Sequence, residues 1–248
     1  MQLKKNKLGA AKNIRFVSVA GKEAPFNYTE AFKSLRTNLN FLTNTSGVRS
    51  ILITSAVPEE SKSTTAINLA LTLASSGHRV VLVEADLRKP VLRKYLKREM
   101  AASGLSAYLS GLVGLEDCIT DMKDLGISVI PAGIIPPNPS ELLHSSRMQE
   151  LIALLKQNYE YVLLDAPPVT VVTDAAVVGP MTDGALLVVR SRFASARTIR
   201  QAKAKLEAVG IRILGGVLTR FNMRKSGWRS GYDYKHYEYG YGQGRGRR

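Results

Sequence analysis

The chain has 248 residues, 45% of them hydrophobic, one cysteine and a formal net charge of +15. Its length and apolar content suit one large folded core, and no apolar run is long enough to cross a bilayer. Cys118 has no metal-ligand spacing around it, which excludes a disulfide scaffold and a thiolate metal site and leaves a half-buried core thiol as its reading.

In chain order, residues 1–22 carry six basic side chains and no acidic one, within a basic arm assigned to 1–27. Such an arm suits an acidic membrane surface, a nucleic acid or an acidic partner segment, and a solvated disordered tail is the plainer alternative. No apolar signal core follows it, so a cytoplasmic location is expected. Residues 28–42 then predict an amphipathic helix with Phe32, Leu35, Leu39 and Leu42 on one side, between Pro25 and Gly47.

From there apolar runs alternate with helical patterns. Strands are predicted at 51–54, 79–83, 127–130, 161–164, 185–189 and 213–218, several of them apolar on both faces. Helices are predicted at 63–76, 140–157 and 194–208, with Gly77 and Gly210 suited to helix ends. The alternation implies an α/β fold, a doubly wound and mainly parallel sheet, occupying 28–222 as one domain.

The first strand runs into Ala56-Val57-Pro58-Glu59-Glu60-Ser61-Lys62-Ser63-Thr64 and then a helix, the arrangement of a phosphate loop. Backbone N–H groups and the positive end of a helix would face the phosphates, Lys62 would reach the β- and γ-phosphates, and the Ser63 hydroxyl would ligate magnesium. The usual pattern is G-x-x-x-x-G-K-[ST], and its two glycine positions hold Ala56 and Ser61 here. Glu59 and Glu60 suit a polyphosphate site only with their carboxylates turned outward. The second strand ends in Glu84 and Asp86, followed by Arg88, and the fourth in Asp165-Ala166-Pro167-Pro168. Alternate residues at a strand end face opposite ways, so Glu84 and Asp86 need not share a job. An acidic residue closing an apolar strand is where P-loop enzymes hold magnesium. A lone aspartate there is usually a cap or turn residue; a phosphate loop followed by two acidic strand ends is not explained that way.

The last segment, 223–248, has seven basic and two acidic residues and little to bury, and reads as disordered. Tyr232, Tyr234, Tyr237, Tyr239 and Tyr241 are five of the ten tyrosines in the chain, with Asp233 and Glu238 beside them. A tail binding RNA by stacking and charge, or a merely solvated end, is the alternative to a set of phosphoacceptors.

These segments together resemble the bacterial tyrosine kinases from about Tyr28 to the tail. The family's three nucleotide motifs map onto 56–64, 81–88 and 162–168. Glu30-Ala31-Phe32-Lys33-Ser34-Leu35-Arg36 resembles its E-x-x-R-x-x-R oligomerisation helix, with Lys33 in place of the first arginine, and the run from Pro136 to Leu143 resembles its linker. The resemblance implies a P-loop domain related to the MinD and ParA ATPases, without their early signature lysine. It implies ATP and magnesium as cofactors, with Ser63, Asp86 and Asp165 around the metal and Lys62 on the phosphates. Glu84 would accept the tyrosine proton, a role exchangeable with that of Asp86, and Arg88 would orient the acidic pair or contact a phosphate or a neighbouring subunit. It further implies a homo-oligomeric ring built on Glu30, Lys33 and Arg36, each tail serving as a neighbour's substrate. The partner would be a separate transmembrane activator of capsule or exopolysaccharide assembly at the inner face of the membrane; nucleic acid is not an expected partner. Ser61, Glu84 and Ala166 depart from the family's Gly, Asp and Thr, which leaves a slow kinase or a nucleotide-binding scaffold, and a partition-type ATPase, as alternatives.

Overall fold

In a computed structural model, the described residues are 18, 19, 21 and 24–221. The expectations for most of the basic arm and for the tyrosine-rich tail lie outside them. Seven strands form one sheet: β1 (Ser50–Ser55), β2 (Val80–Glu84), β3 (Thr120–Met122), β4 (Ile127–Ile130), β5 (Tyr161–Asp165), β6 (Gly184–Arg190) and β7 (Ile213–Thr219). Their order is β3-β4-β2-β5-β1-β6-β7. Every pairing is parallel except β3 with β4, a three-residue edge hairpin that carries no alternating pattern long enough to read from sequence. All six predicted strands are present.

The central strands are buried on both faces, which is why they read as unbroken apolar runs. Along β1 the side chains alternate: Leu52 packs with Val81, Val83, Val162 and Leu164 in one cluster, and Ile51 and Ile53 pack with Leu82 and Leu163 in the other. The second cluster is covered by α1 (Phe26–Ser46) and α2 (Lys62–Ala74). Helix α1 presents Phe32 and Leu39 inward, with Leu35 and Leu42 partly buried beside them, as its periodicity predicts. Gly47 ends it in the left-handed region at φ 66°, where a side chain would be strained.

Short helices follow β2: α3 (Leu92–Leu96) and α4 (Leu105–Leu109). The single helix expected over 140–157 is two, α5 (Pro139–Leu143) and α6 (Ser146–Asn158). Ser145 breaks it by taking extended backbone at ψ 155°, and its hydroxyl donates to the Leu142 carbonyl at 2.6 Å. After β5 come α7 (Asp174–Val178) and, before β7, α8 (Ala196–Ala208). Ser195 caps α8 by accepting the Thr198 N–H at 3.1 Å. Among the described residues no helix is long and apolar enough to cross a membrane.

Candidate functional site

The sheet order decides the site. Strand β5 lies between β1 and β2, so the loop after β1 and the carboxyl ends of β2 and β5 converge, where open α/β sheets hold ligands. Lys62, the first residue of α2, sits on this point. Its ammonium donates to Asp86 Oδ2 at 2.9 Å and to Asp165 Oδ1 at 3.4 Å, and lies 3.3 Å from Ser63 Oγ. Burial alone would pull the Lys62 pKa down; the charges of Asp165 and Asp86 and hydrogen bonds to both more than offset it, and the net shift is upward. Burial pushes the Asp165 carboxyl up, eased by the Lys62 charge and a Ser63 hydrogen bond.

Asp165 Oδ2 is buried and has no hydrogen-bond partner among the described residues. A buried orphaned carboxylate oxygen costs free energy unless something occupies its lone pairs. A divalent cation would do so. Magnesium takes one or two protein carboxylates and completes its shell with water and phosphate oxygens. Ser63, Asp86 and Asp165 therefore fit magnesium, and a dedicated cage is not needed: among the described residues no three His, Cys, Asp or Glu side chains cluster as metal ligands.

The phosphate loop bends where its sequence lacks glycine. Glu59 and Ser61 both take left-handed backbone, at φ 66° and 71°. The Ser61 carbonyl accepts the Thr65 N–H at 2.9 Å, opening α2. Of the two loop glutamates, Glu60 does not turn out to solvent. It is 1% exposed, accepts the Val57 N–H at 2.9 Å and the Arg190 N–H at 3.2 Å, and its carbonyl accepts the Thr219 hydroxyl at 2.9 Å. Its charge is absorbed in fastening the loop to β6 and β7, partners more than a hundred residues away and invisible to local pattern. Thr170 and Thr54 fasten the same loop to the turn after β5, donating to the Ala56 and Pro167 carbonyls at 2.5 and 2.7 Å. Pro58 is exposed and Thr64 partly buried.

Glu84 is placed differently from Asp86. One carboxylate oxygen accepts the N–H groups of Val91 and Leu92 at 2.5 and 2.7 Å, and the other accepts that of Ala132 at 3.0 Å. Burial raises its pKa against the pull of those three donors. A carboxylate so saturated orders the loops after β2 and β4 and is a poor proton acceptor, which speaks against it as the base. Asp86 faces the crevice: one oxygen accepts from Lys62 at 2.9 Å and the other accepts the Lys89 N–H at 3.1 Å. Arg88 likewise turns to structure. Its guanidinium holds the fully buried Asp174 through two nitrogens, at 2.8 and 3.1 Å, and donates to Ser140 Oγ at 2.9 Å. Neither Asp174 nor Ser140 stands out in the sequence: Ser140 lies inside the Pro136–Leu143 run, and nothing local marks Asp174.

On α1, Lys33 pairs with Glu30 at 2.7 Å within the helix, and both remain exposed enough to meet another surface. Arg36 donates to the Thr72 carbonyl at 3.1 Å, so it also braces α1 on α2.

The chain is similar to known proteins over most of its length. Residues 51–210 match the AAA domain family. Tyrosine-protein kinase YwqD of Bacillus subtilis is 35% identical over 206 residues, 83% of this chain and 85% of that protein. Tyrosine-protein kinase etk of Escherichia coli is 35% identical over 226 residues, 90% of this chain but 30% of that longer protein. The solved kinase domain of Escherichia coli ETK superposes with a TM-score of 0.74 at 34% identity, covering 79% of this chain and 78% of that one. The septum site-determining protein MinD of Pyrococcus horikoshii, solved with Mg-ADP, superposes at 0.60 with 25% identity, covering 68% and 69%.

Proposed function

The chain belongs to the bacterial tyrosine kinases, and from that premise we propose that it transfers the γ-phosphoryl group of ATP to tyrosines of its own 232–241 segment, in the control of capsule or exopolysaccharide synthesis. The observation that carries the reading is the convergence of Lys62, Asp86 and Asp165 on the crevice above β1, β5 and β2, beside an orphaned Asp165 oxygen.

In this mechanism the α2 N-terminus and the N–H groups of 56–64 cradle the phosphates, and Lys62 swings from Asp86 and Asp165 to the β- and γ-phosphates. Ser63 and Asp165 would hold magnesium, with Asp86 meeting the ion only through water so that a carboxylate oxygen stays available; when bound, the ion would neutralise charge on the phosphate oxygens. Asp86 accepts the phenolic proton as the tyrosine oxygen bonds to the γ-phosphorus and the bond to the ADP oxygen breaks. Such transfer asks the protein mainly for positioning and charge stabilisation. Glu84 and Arg88 act on these groups from behind, by fixing the loops that carry them.

A ring of subunits meeting through Glu30, Lys33 and Arg36, and a transmembrane activator at the inner face of the membrane, complete the proposal. The exposed Glu30–Lys33 pair supports the first; the family resemblance supports the second. The test is radiolabel transfer from γ-labelled ATP, with the full chain alone and with a candidate activator's cytoplasmic segment. Label on tyrosine is expected, with most of it removed when the five tail tyrosines become phenylalanine. ATP binding or hydrolysis with no phosphotyrosine under either condition refutes the kinase reading.

A further inference from the structure

Beside the catalytic crevice lies a second concavity, of about 450 Å³, lined by Glu84, Pro90, Arg93, Lys94, Pro131 and Ile134 among others. Its walls are the loops that Glu84 ties together, the β2–α3 connection through Val91 and Leu92 and the exit of β4 through Ala132. The walls are therefore held in fixed relation by a buried carboxylate with every oxygen occupied. The charge it presents is positive. Arg93 and Lys94 are exposed on α3, and among the described residues neither forms an ion pair. Ile134, 84% exposed, gives the rim an apolar edge left open by the other described residues.

The position matters as much as the charge. Strand β2 has β5 on one side and β4 on the other. The groove thus begins one to two strand spacings from Asp165, roughly 5–10 Å. In an extended peptide, neighbouring residues are about 3.3 Å apart along the chain and point opposite ways. A phenol delivered to Asp86 would send the carboxylate of an adjacent residue to about this distance. The tail has that pattern: Asp233 separates Tyr232 from Tyr234, and Glu238 separates Tyr237 from Tyr239. Tyr241 has only glycine beside it. Strand β7 ends on the carboxyl side of the parallel sheet, the side on which the groove opens, four strand spacings from β2, or roughly 19 Å, a span that about ten residues of extended chain can cover.

We propose that this groove is a specificity site for the acceptor segment 232–241, in which Arg93 and Lys94 receive the carboxylate next to the reacting tyrosine and Ile134 packs against the peptide. The proposal rests on the kinase reading and adds to it a rule: tyrosines flanked by an acidic residue are preferred. Arg93 and Lys94 are specificity residues and touch neither the phosphates nor the metal.

The test uses the full chain and two fluorescent peptides, residues 230–243 as they stand and the same peptide carrying Asp233→Asn and Glu238→Gln. Exposed ion pairs contribute little singly, so the acidic peptide should bind about three- to tenfold more tightly at low salt, with the gap narrowing as salt rises. The Arg93→Ala, Lys94→Ala double variant should bind both peptides alike while keeping its affinity for a fluorescent ATP analogue. Arg93→Glu with Lys94→Glu should prefer a peptide carrying Asp233→Lys and Glu238→Lys. Equal binding of the two peptides by the unaltered chain, or undiminished preference in the double variant, overturns the groove. Phosphorylation read in the same mixtures separates the two ideas: discrimination in binding without any phosphotyrosine sinks the kinase reading and leaves the groove standing. Phosphotyrosine formed equally on both peptides, with equal affinities, does the reverse. Site mapping on the unaltered tail should find Tyr241 the slowest acceptor; labelling at Tyr241 first would also count against the rule.

Discussion

Replacing Ser61 with glycine tests the most irregular residue of the phosphate loop. Ser61 takes φ 71° and ψ 26°, backbone in which a Cβ crowds the chain at a cost of about 1–2 kcal/mol. Glycine removes that cost and in return loses more freedom on folding, about 0.5–1 kcal/mol. The difference favours Ser61→Gly by about 0.5–1 kcal/mol, or roughly 1–4 °C in Tm for a domain of this size. The effect on rate has a separate origin. The residue before the lysine brings its N–H against the phosphates, and the serine Cβ stands in that approach. Neutral donors and Lys62 can follow a displaced phosphate, so affinity should change less than alignment with the attacking tyrosine. The expected gain in initial phosphorylation rate is at least about tenfold, equivalent to roughly 1.4 kcal/mol of barrier. Thermal denaturation and γ-labelled ATP transfer, run on the same preparations, measure the two. A variant that is less stable than the parent would show that the serine is unstrained. An unchanged or lower rate would show that its side chain serves this loop.

Asp165→Asn should abolish phosphotransfer with no loss of stability, because it removes a buried carboxylate whose ionisation burial opposes. The sign follows from linkage. A carboxyl raised in the folded state makes the protein lose stability as pH rises from the ordinary carboxylate value through the raised one, so chemical denaturation across that window should show a shallower decline in the variant. Full activity in Asp165→Asn would remove it from the metal site. Arg88→Ala should cost about 2 kcal/mol by urea denaturation, less than the roughly 3–5 of a fully buried pair, because the arginine is partly solvated while Asp174 is left uncompensated. Arg88→Lys should recover only part of this, since an ammonium cannot reproduce the two-nitrogen contact; equal stability of all three proteins would mean that water replaces the pair. Cys118 is buried, and burial pushes its thiol pKa to about 11, so iodoacetamide at pH 8 should label it only after denaturation. Light scattering should show a smaller assembly for Glu30→Ala if α1 joins the subunits, and unchanged mass rejects that interface.

Much of this protein is written in short stretches of its sequence. The strands read correctly because burial on both faces of a parallel sheet demands unbroken apolar runs, and 51–54, 161–164 and 185–189 have them. Helix α1 read correctly because its apolar stripe recurs at helical spacing and Gly47 closes it. The stations at Lys62, Asp86 and Asp165 were legible because a phosphate loop and acidic strand ends are local arrangements. Elements of three to five residues, such as α3, α4 and β3, were missed because so few residues cannot display a period. The break at Ser145 was missed because the apolar spacing of 140–157 runs through it. What the sequence could not assign were jobs that depend on distant partners. Glu84 and Asp86 look like a pair on paper. Only the fold, which carries Ala132 to one oxygen of Glu84 and Val91 and Leu92 to the other, makes the first a fastening and leaves the second facing Lys62. Glu60 is out of place beside phosphates by local sequence alone, and it is β6 and β7 that bring Arg190 and Thr219 to it. A carboxylate's chemistry is set by the donors around it, and strand order, a property of the whole chain, decides which donors those are.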